Sequence, residues 1–235
     1  MKIDIISDLH GFYPELSGGD LLIVAGDWTA SDKSAEIIKF ALWCSAQKYK
    51  RKVVIAGNHD NLIQRTPTIL EGLPDCALTY LCDSGVEIDG IKLWGSPWSL
   101  TFEGINPKCK AFCLDSESDM YEKFKKIPEG IDILITHCPP FGVMDMNYEG
   151  ERCGSSALRS ELDRVKPAVH CFGHIHERGG SVCLYKHRGV DTFCINASHV
   201  NELYKPINKP VTIYKHKRFS LTNPESTPEE KDETS

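Results

Sequence analysis

Aspartate, histidine and asparagine recur in this 235-residue sequence in five short groups. They are Asp8-x-His10, Gly26-Asp27, Gly57-Asn58-His59-Asp60, His137 and Gly173-His174-x-His176. Mixed carboxylate, imidazole and amide donors suit Mn, Fe, Co, Ni or Zn better than a thiolate-rich set would. The D-x-H and H-x-H spacings put two donors at i and i+2, on one side of an extended strand end. Glycine precedes three of the groups, where a tight turn or a close approach of backbone disfavours a Cβ. Two divalent cations about 3.5–4 Å apart clamp a phosphoryl group and make an attacking water acidic near neutral pH. The leaving alkoxide then needs a proton, which His59 could supply as general acid. Each fragment alone is weak, since a D-x-H tripeptide is common and a lone histidine is more often a packing residue. The ordered set of five carries the argument.

Something must bring the groups together, and the flanking residues say what. KIDIIS runs into Asp8, LLIVAG into Asp27, KVVIAG into Asn58, IDILIT into His137 and AVHCFG into His174. Apolar runs of this length with glycine or polar punctuation read as buried strands. In open α/β sheets, sites lie beyond the carboxyl ends of the strands, so five such ends can deliver five donors to one rim. Helices are expected over 31–48, with Ala35, Ile38, Leu42 and Ser45 near one face and Ser31 or Ser34 as cap, over 116–127, and over 155–165, where Leu158, Leu162 and Val165 align. Pro167 stops the last of these. Further strands are expected at 79–81, 86–88 and 91–94, with Asp89-Gly90 as a hairpin turn. A second hairpin, 181–186 to 190–195, turns at Arg188-Gly189, and a last strand covers 210–216. The fold class is therefore α/β, a two-sheet β-sandwich flanked by helices.

Composition narrows the functional classes. Hydrophobic content of 41% and charged content of 26% are ordinary for a globular chain, and no apolar run approaches the roughly 20 residues needed to cross a bilayer. The start, MKIDIISDLH, lacks a signal peptide's apolar core. Ten cysteines include no C-x-x-C pair, and a chain of this size builds its own core, so reduced thiols and a cytoplasmic location are expected. The net charge is −6, of which residues 222–235 hold five acids and one lysine. The division that follows is a catalytic domain over 1–221 and a disordered acidic tail over 222–235. No basic stripe marks a dedicated nucleic-acid surface, and the expected partner is a small-molecule substrate.

Other side chains have plainer readings. Asp60 either orients His59 or caps the next helix, the cap being slightly favoured. Cys138 abuts a donor but reads as a small buried hydrophobe. His170, His187, His199 and His216 lack a ligand-like context. Trp28, Trp94 and Trp98 could wall a base-stacking pocket, yet aromatics beside strands are more often core. Arg152 could contact a substrate phosphate, and Ser155 reads as a helix N-cap.

The order D-x-H, GD, GNHD, H, GHxH resembles that of the calcineurin-like metallophosphoesterase superfamily. Its metallophosphoesterase-domain-containing, cyclic-nucleotide-phosphodiesterase-like branch is similar over GDLLIVAGDWT (19–29), KVVIAGNHD (52–60), IKLWGSPWS (91–99), IPEGIDILITHCPPFGVMD (127–145), VKPAVHCFGHIHERGG (165–180) and INAS (195–198). The resemblance implies that Asp8, His10 and His176 hold one metal, that Asn58, His137 and His174 hold the other, and that Asp27 bridges them. It implies manganese first, with Fe, Zn, Ni or Co as alternatives, and His59 as the group protonating the leaving oxygen. The implied activity is hydrolysis of small phosphodiesters such as cyclic nucleotides. A phosphomonoesterase, or a non-catalytic scaffold of the same fold, is the alternative. The second motif lacks the GDxxDRG form of phosphoprotein phosphatases, and scaffolds erode ligands that this chain keeps. Removing residues 222–235 is expected to leave phosphodiester turnover unchanged; a large loss would show that the tail folds onto the site.

Overall fold

A computed structural model describes residues 1–31, 33–72, 78–101, 108–186 and 189–223. His187, Arg188 and the tail from residue 224 onward lie outside the described residues, so the expectations placed on them have no structural counterpart here. In chain order the elements are β1 (Lys2–Ile6), β2 (Gly19–Ala25), α1 (Ser34–Ala46), β3 (Tyr49–Ile55), α2 (Asn61–Arg65), β4 (Leu78–Tyr80), β5 (Ser84–Ile88) and β6 (Ile91–Ser96). There follow β7 (Ser99–Leu100), β8 (Cys113–Leu114), α3 (Glu117–Phe124), β9 (Ile133–Thr136), α4 (Ser156–Val165), β10 (Val169–Phe172), β11 (Ser181–Lys186), β12 (Asp191–Asn196), β13 (Val211–Lys215) and β14 (Phe219–Ser220).

Two six-stranded sheets result. The first runs β14-β13-β1-β2-β3-β4 and the second β11-β12-β10-β9-β6-β5. Within the first, β1 to β4 are parallel neighbours; within the second, β6, β9, β10 and β12 are. Parallel strands are apolar on both faces because both faces are covered, and the side-chain alternation here shows how. Ile3, Ile5, Leu21, Ile23, Val53 and Ile55 of the first sheet meet Leu93, Ile133, Ile135, Val169, Cys171 and Ile195 of the second in one core. Their neighbours Leu22, Val24 and Val54 point the other way, against Trp28, Ile37, Phe40 and Trp43. Leu134, Phe172 and Cys194 face outward from the second sheet onto Met120 and Phe124 of α3 and Leu158 and Leu162 of α4. The order of layers is helix, sheet, sheet, helices.

Local signals account for most boundaries. Ser116 and Ser155 cap α3 and α4, accepting from Asp119 N and Leu158 N at 3.1 Å each. Asp89 and Gly90 both have positive φ (48° and 78°), the form a two-residue hairpin with right-handed twist requires. Asp4, which interrupts the apolar run of β1 in the sequence, stays buried within the strand and accepts from the Tyr49 and Thr212 hydroxyls.

Helix α1 departs from expectation. Neither Ser31 nor Ser34 caps it; the Glu36 carboxylate takes the backbone N–H groups of Ser31 (2.9 Å) and Lys33 (3.2 Å). Its buried face is Ile37, Phe40, Ala41 and Cys44, with Trp43 beside them, while Ile38 and Leu42 are exposed at 51% and 56%. The aromatic rings decide the rotation. Phe40 stacks on Trp28 at 4.5 Å between centroids, and Trp43 stacks on Tyr13 at 5.7 Å, contacts worth more than the two aliphatic side chains left outside. Phe40→Ala is expected to cost about 3–5 kcal/mol of stability in urea unfolding. Ile38→Ala should stay within about 0.5 kcal/mol. Equal costs would mean that the helix packs by its other face.

Candidate metal centre

The first donor of each group sits one to three residues beyond a parallel strand. Asp8 follows β1, Asp27 follows β2, Asn58 follows β3, His137 follows β9 and His174 follows β10. The two sheets are joined at this rim by a bridge between Ser7 and Ser198, in which Ser7 N donates to Ala197 O (2.8 Å) and His199 N to Ser7 O (2.8 Å). The loops continue the ladder: Asp8 N donates to Gly26 O, His10 N to Asp27 O and Gly173 N to His137 O, at 3.0–3.1 Å. The turns are sharp. Asp8, His10, Asp27 and His174 all adopt left-handed φ, between 42° and 67°, a conformation uncommon outside glycine and concentrated at functional sites. The preceding glycines are needed for space. A Cβ on Gly173 would collide with Asp8 Oδ2, and one on Gly57 with Asp27 Oδ1.

All seven side chains converge. On one side, His10 Nε2 and His176 Nε2 lie 3.3 Å apart, and Asp8 Oδ1 is 3.3 Å from His176 and 3.9 Å from His10. On the other, Asn58 Oδ1 is 2.9 Å from both His137 Nε2 and His174 Nδ1. Between them lies Asp27, whose Oδ2 is 3.4 Å from His137 Nε2 and 3.7 Å from His10 Nε2. Three overlapping sets have donor atoms all within 4.8 Å of one another: Asp8, His10 and His176; His10, Asp27 and His59; Asp8, Asp27 and His137.

The donor chemistry fits a cation. Burial drives the His10 and His174 rings down to about 3, which keeps them neutral with a lone pair to share. Burial pushes the two carboxyls up, but neighbouring histidines outweigh it and hold Asp8 and Asp27 below the usual carboxylate range. His137 Nδ1 lies 3.0 Å from Ala25 O and its Nε2 faces Asn58 and Asp27. Burial pushes this ring down, but Asp27 outweighs it and raises it to about 9, so a metal bound there would displace a proton from Nε2. Two ring nitrogens facing each other beside an ionised carboxylate leave unmet acceptor capacity, which divalent metal satisfies.

Several partners escaped the sequence reading. Ser198 Oγ donates to Asp8 Oδ2 (2.7 Å) across 190 residues, and His174 N donates to both Asp8 oxygens. Tyr204 stands edge-on to His10 (4.9 Å) and His176 (5.0 Å) at the mouth. Only the run INAS, which ends at Ser198, gave a signal. Asp60 performs neither of its expected roles. It makes no side-chain cap to α2; its fully buried carboxylate accepts from Gly57 N, Trp28 N, Thr29 N and the Thr29 hydroxyl at 2.9–3.3 Å, tying the Asp27 loop to the Asn58 loop.

The bland readings fare well elsewhere. Cys138 is buried among apolar side chains. His170 is buried beside the Thr136 hydroxyl, and His199 is buried against Asn208 O, while His216 is exposed. Trp28 is core and donates to Ile55 O, and Trp98 donates to the Asp83 carboxylate. Arg152 lines the cleft and pairs with Asp145 at 2.8 Å; Ser155 is a cap.

Comparison with known proteins agrees with this geometry. Residues 1–178 match the family described as calcineurin-like phosphoesterase. Human metallophosphoesterase domain-containing protein 1 is 36% identical over 234 residues, covering 88% of this chain and 69% of its own. A UPF0046 protein of Caenorhabditis elegans is 34% identical over 229 residues, covering 88% and 77%. Among solved structures, TT1561 of Thermus thermophilus aligns with a TM-score of 0.57 at 12% identity, over 84% of this chain and 90% of that one, a likeness of fold alone. With the strand-end donors in place and the match extending through the GHxH group, this chain belongs to the calcineurin-like phosphoesterases.

Proposed function

We propose that the chain hydrolyses small phosphodiesters, cyclic nucleotides among them, with two divalent cations held side by side, manganese foremost. Asp8, His10 and His176 would hold one, Asn58, His137 and His174 the other, and Asp27 would reach both. When bound, such a pair supplies Lewis acidity that activates the attacking water and neutralises charge on the phosphoryl oxygens. The chain's own part is to fix the donors, exclude bulk water from the rim and deliver a proton. His59 Nε2 is 4.0 Å from Asp27 Oδ2, and the ring lines the cleft, within reach of an oxygen leaving a phosphate seated there.

The observation that carries the reading is the cleft over the donors Asp27, Asn58, His174 and His176. It is about 700 Å³, lined by Asp27, Asn58, His59, His174 and His176 on its floor, which is the size of a small-molecule site. Glu149, Glu151, Glu177 and Glu202 line the same cleft, with Arg152 as the basic group among them. Carboxylates in that number repel a long polyanion, whereas a diester of one negative charge can enter.

Bis-p-nitrophenyl phosphate with added Mn²⁺ tests the proposal directly. Turnover is expected in the unaltered chain and lost in Asn58→Ala, while His59→Ala, which removes a proton donor that a p-nitrophenolate leaving group hardly needs, is expected to lose less; no turnover with any divalent metal would favour a scaffold role. Asp27→Ala, which removes the side chain common to both halves of the site, is expected to lower activity more than His59→Gln does. Full activity and unchanged metal content in Asp27→Ala would overturn that order.

A further inference from the structure

Resting on that reading, we infer that Cys109 is a positioning residue for the proton donor, holding the His59 ring so that its Nε2 faces the cleft. Cys109 Sγ lies 3.3 Å from His59 Nδ1, and Ala30 O is 3.4 Å from the same nitrogen. The Ala30 carbonyl can only accept and so favours a proton on Nδ1, a tautomer in which the Cys109 sulfur serves as a second acceptor. A neutral imidazole with its proton there has Nε2 free, and a protonated one presents Nε2–H to the cleft. No carboxylate is bonded to Nδ1 among the described residues; a thiol and a carbonyl orient the ring there.

The segment carrying Cys109 is itself clamped to the GNHD loop. Asn58 Nδ2 donates to Cys109 O (3.3 Å), Ala111 N to Asn58 O (3.1 Å) and Asn61 Nδ2 to Lys108 O (3.1 Å). These bonds flank His59 on both sides, so the sulfur is delivered to Nδ1 by backbone fixed to the same loop. Ala111 and Phe112 are buried against the α1 side of the first sheet and anchor the far end of the segment. The thiol is partly buried and contributes no donor to any of the three metal-type sets.

A proton matters most to a poor leaving group. General acid catalysis contributes about 10²–10⁴-fold where the leaving oxygen is an alkoxide, and much less where it is p-nitrophenolate. Cys109→Ala is therefore expected to lower the ratio of 2′,3′-cyclic-nucleotide turnover to bis-p-nitrophenyl phosphate turnover by about tenfold, and Cys109→Ser to restore most of it. A loss shared equally by both substrates would assign Cys109 a merely structural role, and no loss on either would remove it from the site; both overturn the inference. Nitrogen-15 NMR of the zinc-loaded full chain, with His59 assigned through His59→Gln, supplies a readout independent of turnover. The His59 proton should reside on Nδ1, with that resonance displaced in Cys109→Ala and returned towards its place in Cys109→Ser. An unmoved resonance overturns the inference. Failure of the unaltered chain on both substrates would instead sink the phosphodiesterase reading while the resonance still decides on Cys109.

Discussion

Two ionised carboxylates, Asp8 and Asp27, are buried at the seam where the two sheets meet, with 0% and 1% of their surface exposed. Taking such charges out of water costs several kcal/mol each unless hydrogen bonds and opposite charge compensate. Here the compensation is spread across the molecule. Asp27 Oδ1 takes the N–H of His59 at 2.8 Å, from the loop after β3. Asp8 takes the N–H of His174 from the loop after β10 and the hydroxyl of Ser198 from beyond β12. Neither acid is accommodated until both sheets are in place, so the site and the sandwich depend on each other.

That dependence explains the unusual backbone. Four donors in left-handed φ carry strain on the order of 1–3 kcal/mol each, which persists only where surrounding structure over-determines the conformation. The parallel ladders on either side do so, and the core between the sheets, from Ile3 to Ile195, holds the ladders in register. Buried Asp60 adds a cross-tie, taking four donors from the loops after β2 and β3. Its carboxyl is raised to about 7 by burial and by Asp27. A site braced this way holds its candidate metal donors in fixed positions, and preorganisation of that kind is what electrostatic catalysis requires.

The layers also separate tasks. The core between the sheets is largely aliphatic. The α1 side is aromatic, built on Trp28, Phe40 and Trp43, while the α3–α4 side carries Phe124 and Leu162. The carboxyl-end rim carries the cluster of acids and histidines, and the cleft over it is lined in part by Tyr148, Glu177 and Tyr204 from outside the sheets.

Much of this was written along the chain. Five apolar runs each ending in Asp, Asn or His announce five strand ends, because a strand covered on both faces is largely apolar and a polar residue at its end marks where the chain leaves the sheet. The caps Ser116 and Ser155 and the Asp89-Gly90 turn are equally local, since each satisfies bonds or dihedrals within a few residues. The rotation of α1 was not local. Ile38 and Leu42 have helical spacing as good as that of Ile37 and Ala41, and only the rings of Trp28 and Tyr13, brought up from other segments, select the buried side. Ser198 on Asp8, Asp60 across two loops, and Cys109 on His59 were invisible for the same reason: a hydrogen bond between residues 190, 31 or 50 apart leaves no periodic trace. Residue type and strand pattern determined which atoms could bind metal and where the chain would present them. The packing of two sheets face to face decided which other side chains would hold those atoms still.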